Sequence, residues 1–370
     1  MTNLGMKLCT LLLASLLVGC VTRPAESPQF RDATPQDAVH LNSLNSEQTS
    51  SGDDGILNIL ALSSGGAYGA YGVGILNGWS ERGTRPEFDI VTGVSTGALM
   101  SVFAFLGPQY DGILRHLYTD VKADDIFISR GIKGLFSDSL YDNTPLKKQI
   151  EKYVTANLLR QIATEHAKGR RLYIATTNLD AGASVIWDMG KIASGGRASP
   201  VQHFQKILRA SSAVPGFFPP VYIKPQRGVQ LRQAHVDGGV KSPLLVSDFL
   251  FRSKAKKRRL FIIANDSIAQ RDAYAAVDGN LPSIARKTIL TLTKELLIQN
   301  VYRGYVRAKN SGTQFNLTSV PDKLGLNTKS LSFDRKTLDG LYQAGRNRAL
   351  SDTPWLHKPV GIGRYDVARH

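Results

Sequence analysis

Cysteine is almost missing from this chain. Its 370 residues hold two, Cys9 and Cys20, both near the N-terminus. Removal of a leader before Cys20 leaves one thiol, which excludes an internal disulfide framework and any cysteine-based metal site. Long apolar runs are scarce too. The run Leu8–Val18 is interrupted by Cys9, Thr10 and Ser15. It has the size of a signal-peptide core and falls short of the roughly 20 residues that span a bilayer. Acids are outnumbered, 30 Asp and Glu against 46 Lys and Arg, for a formal charge of +16. Residues 1–19 carry one base, Lys7, and no acid, so +15 remains without them. That excess favours anionic partners such as acidic lipid headgroups. No recognition helix, zinc spacing or RNA-binding signature accompanies it, so no nucleic-acid partner is expected.

What is present is a globular composition, 42% hydrophobic and 21% charged, long enough to bury a large core. The tetrapeptide Leu17-Val18-Gly19-Cys20 follows the apolar run and resembles the lipobox of bacterial lipoproteins. That resemblance implies a cleaved signal peptide over residues 1–19 and an acylated Cys20 as lipid anchor, with several acyl chains holding more firmly than one. It implies a cell-envelope location. Val21, in place of an aspartate, favours the outer over the inner membrane if the cell is Gram-negative. Residues 20–54, with Pro24, Pro28 and Pro35 among many polar residues, read as a flexible tether.

Ordered structure is expected from Ile56, where Ile56–Leu62 reads as a buried strand and Tyr68–Arg82 as a glycine-rich helix able to pack closely against a sheet. Phe88–Thr92, Arg171–Asn178, Ser184–Asp188, Arg259–Asn265 and Thr313–Val320 are further strand candidates. Helical patterns cover Ala98–Phe105, Leu146–His166, Val201–Ala210, Pro282–Ala308 and Arg335–Arg348. Strands alternating with helices predict an α/β fold, a largely parallel sheet covered on both faces. The densest basic run, Arg252 to Arg259, leads into an apolar stretch without interleaved aromatics and reads as a solvated loop entering a strand.

Three motifs carry chemistry. Gly93-Val94-Ser95-Thr96-Gly97 lies between an apolar strand and an apolar helix, where a tight turn presents the serine hydroxyl as a nucleophile. Gly65 and Gly66, directly after a strand, can turn backbone amides toward one point as an oxyanion hole. The dinucleotide fingerprint fails because Asn77 falls where its third glycine belongs, and no Walker pattern occurs. Asp237, followed by Gly238 and Gly239, offers a carboxylate base. His235 shares its side of a strand with Asp237, so a Ser-Asp-His triad through His235 or His357 stays open, as does a lipoprotein that binds lipid without turnover.

Taken jointly these residues resemble the patatin-like phospholipases, lipid acyl hydrolases that use a Ser–Asp dyad. The resemblance implies Ser95 as nucleophile, Asp237 as its base, and Gly65 and Gly66 as oxyanion donors. It implies a three-layer sandwich, a lipid or phospholipid substrate, and no metal or other cofactor. Ala210–Val221 is similar to a block that packs near the family's active site, and Ala175–Asp180 to a core strand. The catalytic domain is expected over 55–250, with 251–370 an extension packed upon it. Ser64 replaces the family's third loop glycine, Tyr68 its usual Arg or Lys, and Val240-Lys241-Ser242-Pro243 its asparagine-proline pattern.

Overall fold

A computed structural model describes residues 38–39, 55–195, 199–224, 232–252, 255–268, 276–322, 324 and 333–360. The expected leader, Cys20 and all of the expected tether except residues 38–39 lie outside these residues. In chain order, β1 (Ala38–Val39) and β2 (Ile56–Leu62) precede α1 (Gly69–Glu81), β3 (Ile90–Gly93), α2 (Thr96–Leu106) and α3 (Asp111–Thr119). A small antiparallel ribbon, β4 (Ile128–Ser129) with β5 (Tyr141–Asp142), leads to α4 (Thr144–Tyr153) and α5 (Ala156–Ala167). Next come β6 (Arg171–Asn178), β7 (Ala183–Asp188), α6 (Met189–Ala193), α7 (Pro200–Ser211), β8 (Val221–Ile223) and β9 (Gln233–Asp237). Then follow β10 (Lys257–Ala264), α8 (Leu281–Asn310), β11 (Gln314–Ser319) and α9 (Arg335–Leu350).

One sheet runs β1-β7-β6-β3-β2-β10-β11. Its five strands from β6 to β11 are parallel, whereas β7 and β1 join antiparallel at one edge. Alternation along each strand divides the core in two. Leu60, Leu62, Val91, Leu172, Ile174, Phe261 and Ile263 pack on one face, under α1 and α2. Leu57, Ile59, Ala61, Ile90, Tyr173, Leu260 and Ile262 pack on the other, against Leu297, Ile298 and Val301 of α8. Burial on both faces explains why these strands read as nearly continuous apolar runs.

The expected α/β architecture is therefore observed, a mostly parallel sheet between helical layers. Three details differ from the sequence reading. The helix expected over Leu146–His166 is two helices, because Thr155 adopts an extended backbone and its hydroxyl accepts the Leu158 N–H to start α5. Ala38–Val39, within the tether segment, pairs with Ile186 and Trp187 of β7. Beyond residue 250, β10 pairs with all seven residues of β2, so the C-terminal segment supplies strands to the central sheet.

The remaining two strands set up the site. β3 stops at Gly93, opposite Ile174 of β6. β9 takes over the same edge of β6 a little further on, pairing Asp237 with Thr176 and His235 with Asn178. The end of β3 and the end of β9 thus meet along one flank of β6, although they are far apart in sequence.

Candidate active site

Ser95 occupies the turn from β3 into α2. Its φ of 56° makes it the one non-glycine residue with positive φ among the described residues. An L side chain there is strained, and the surroundings hold it in place. The Ser95 N–H donates to Ser211 Oγ at 3.0 Å, and Ser211 Oγ donates onward to the Ala175 carbonyl at 2.8 Å. Gly97 has to be small because a Cβ would stand 2.4 Å from the Leu62 carbonyl oxygen.

Asp237 ends β9, buried at the same place. Its N–H donates to Ala213 O at 2.9 Å, and Thr177 Oγ1 donates to its carbonyl at 3.0 Å. The Gly239 N–H donates to the carboxyl Oδ1 at 2.7 Å. Burial pushes this carboxyl up to about 7 from 3.8, while hydrogen bonds from the Ser95 side chain and the Gly239 amide pull it part of the way back. The structure therefore brings Ser95 and Asp237 together. The Ala210–Val221 block contacts both, through Ser211 and Ala213.

The glycine loop follows β2 on the other side of Ser95. Gly66 has φ 57°, and a Cβ on Gly65 would collide with the Asn265 carbonyl oxygen at 1.8 Å. Neighbouring groups pin this loop. Ser63 N–H donates to Ile263 O and Ser64 N–H to Pro243 O. Asn265 closes the arrangement, its N–H donating to Ser63 Oγ and its Nδ2 to Ser63 O, both at 2.8 Å. Gly66 and Ser95 both line one cavity.

That cavity measures about 990 Å³, open mouth included, and its wall is almost wholly apolar. Leu99, Phe103, Leu117, Ile150 and Phe218 supply most of its character. Tyr118 projects into it, and its hydroxyl donates to Thr96 O at 2.7 Å, one residue past the serine. Burial raises the Tyr118 phenol far above its ordinary value, so it stays neutral. The geometry suits an acyl chain lying against carbon, with its carbonyl between Ser95 and the glycine loop.

The triad alternative loses its histidines. His235 is fully buried, its Nδ1 2.9 Å from Thr176 Oγ1, which also accepts the Trp187 indole N–H at 2.8 Å. Desolvation lowers His235 to about 4, so it is a neutral core residue. His357 Nδ1 lies 3.2 Å from Phe315 O, on β11 at the far edge of the sheet. Neither is hydrogen-bonded to Ser95 or Asp237. In the basic run, Lys257 is exposed at the start of β10, and Arg258 bonds the Phe251 and Ser311 carbonyls. Among the described residues no three His, Cys, Asp or Glu side chains cluster as a metal site, and no helix is long and apolar enough to cross a membrane.

Sequence reasoning marked Ser211 within the Ala210–Val221 block but missed Asn265 and Tyr118 as parts of the site. Each of these two acts through a partner distant in the chain, so no local motif marks it.

A family model described as patatin-like phospholipase matches residues 60–250 of the chain. The matched span ends before β10 begins. Comparison with curated proteins yields no match. Among solved structures, VipD from Legionella pneumophila is similar at 12% identity and a TM-score of 0.38. The alignment covers 80% of this chain and 66% of VipD, slightly under two thirds of that protein.

Proposed function

The chain belongs to the patatin-like phospholipase family, and on that premise we propose that it hydrolyses carboxylic esters of lipids through a Ser95–Asp237 dyad. The observation that carries the proposal is the placement of the Ser95 side chain beside a buried carboxyl of raised proton affinity, at a large apolar cavity. Asp237 in its ionised form accepts the hydroxyl proton as Ser95 Oγ bonds to the acyl carbon. The carbonyl oxygen becomes an oxyanion, stabilised by backbone amides of Gly65 and Gly66. Collapse breaks the ester bond, and the departing alkoxide takes the proton from Asp237. Water then attacks the acyl-serine by the same route, releasing the fatty acid and restoring the hydroxyl.

A base near 7 suits this work, because an ordinary carboxylate holds its proton too weakly to draw one from a hydroxyl. The cavity accounts for lipid as the substrate class. Attachment at the envelope is part of the same reading: Cys20, acylated after removal of residues 1–19, would keep the domain beside its substrate. Palmitate labelling that disappears in Cys20→Ala checks the anchor.

Ser95→Ala tests the chemistry. Hydrolysis of lipid and of a short soluble ester should fall at least about a thousandfold, with labelling by a fluorophosphonate probe abolished and the fold unchanged by circular dichroism. Wild-type turnover in this variant would remove the assignment.

A further inference from the structure

The ribbon β4–β5 has a tip that the catalytic reading leaves unused. Ile128, Ile132 and Phe136 are exposed to 55%, 79% and 70%, three large apolar side chains within nine residues. Ile132 and Phe136 stand on the short helical turn Gly131–Phe136 that joins the two strands. Such a group is costly in water and marks a contact surface.

The base of the ribbon is a wall of the catalytic cavity. Ile126 lines that cavity. The Phe127 ring packs against Tyr141 at 4.8 Å and against Phe218 and Phe333 at 5.8 and 6.0 Å, the last two also cavity residues. Leu140 N–H donates to Gly216 O and Tyr141 N–H to Phe217 O, both at 2.9 Å, fixing the ribbon to the Ala210–Val221 block. The exposed tip is thus carried by a ribbon whose base forms part of the cavity wall.

We propose that Ile128, Ile132 and Phe136 form the surface by which this protein inserts into a lipid–water interface, placing the cavity over the lipid it cleaves. The proposal rests on the lipid-hydrolase reading above. A bilayer is the occupant that the structure favours, because the tip stands on the wall of a large, mostly apolar cavity. Charge supports it without directing it. The whole chain is strongly cationic, but Lys122, Arg130 and Lys133 around the tip are balanced by Asp124, Asp125 and Asp138, and Arg130 pairs with Asp138 at 2.9 Å. Insertion is therefore driven by the apolar side chains, and zwitterionic bilayers suffice.

Two measurements on the full chain decide the matter. The first compares Ile132→Ser and Phe136→Ser with wild type on phosphatidylcholine vesicles and on a short, monodisperse ester. Vesicle hydrolysis should drop roughly tenfold or more per substitution, with soluble-ester turnover unchanged. Equal losses on both substrates, or no loss on vesicles, would overturn the proposal. The second places a reporter, Ile132→Trp, in the Ser95→Ala chain, so that no turnover is needed. Its emission, taken as a difference from the parent, should shift to the blue on adding vesicles and be quenched by brominated acyl chains. An unshifted spectrum overturns insertion. So does a shift that arises without vesicles as the protein dimerises, which would make the tip a contact between copies. If wild type cleaves neither substrate, the hydrolase reading fails, yet the reporter still decides insertion.

Discussion

At the scale of single residues, the proposed mechanism makes Asp237 the group that sets the working pH. A carboxyl whose folded value lies near 7 must lose its proton before it can take one from Ser95. kcat/KM on a soluble ester should accordingly rise through an acid limb centred near pH 7, and a limb below pH 5 would contradict the burial argument. The linkage has a definite sign. The folded value is raised above 3.8, so the stabilising contribution is complete below that value and is lost as pH climbs through about 7. Asp237→Asn should therefore be inactive at every pH yet at least as stable as wild type at pH 8 in urea titrations. The turn at Ser95 and the loop at Gly65 and Gly66 were legible in the sequence because they are local: a strained turn and a loop of bare backbone each need particular neighbours in the chain. Asn265 was legible only as the end of a strand. Its duty is to hold Ser63, 202 positions away, and no short pattern records that.

At the scale of elements, the glycines of α1 have two different neighbours. Gly72 faces the sheet, where a Cβ would meet the Asn265 side chain at 2.2 Å. Gly74 and Gly78 instead face α9, a Cβ on Gly74 coming within 2.1 Å of the Tyr342 carbonyl oxygen. Gly345 returns the contact, since a Cβ there would stand 2.1 Å from Tyr71 O. Close packing of α1 was readable from its composition, but α9 as its partner was not, since 250 residues of intervening chain conceal the pairing. Gly74→Leu forces the two backbones apart and should cost about 2–3 kcal/mol or more in chemical denaturation. Gly112→Ala is the matched control: nothing lies within 4 Å of its Cβ position in α3, so stability should hold or rise by about 0.5–1 kcal/mol. Equal behaviour of the two variants would refute the contact.

For the molecule as a whole, the sheet crosses the boundary that the family resemblance placed near residue 250. β10 lies between β2 and β11 in the parallel array and carries Asn265 just past its end. A chain ending at residue 250 would leave β2 with an open apolar edge and the glycine loop without its clamp. It should be recovered as insoluble or unfolded protein, checked by soluble yield and far-ultraviolet circular dichroism. Alternation of strands with helices was enough to foresee the parallel sheet. Strand order was not foreseeable, because it is decided by which apolar faces meet across long stretches of chain.

Under the proposed mechanism, the hand-over of β6 from β3 to β9 also sets the moment at which hydrolysis can begin. A growing chain that has passed Ser95 but not yet Asp237 owns a hydroxyl with no group to receive its proton. Only when the later strand docks in the berth vacated by the earlier one does the pair exist. The proposed activity would thereby be withheld from every unfinished intermediate and arrive with completion of the sheet.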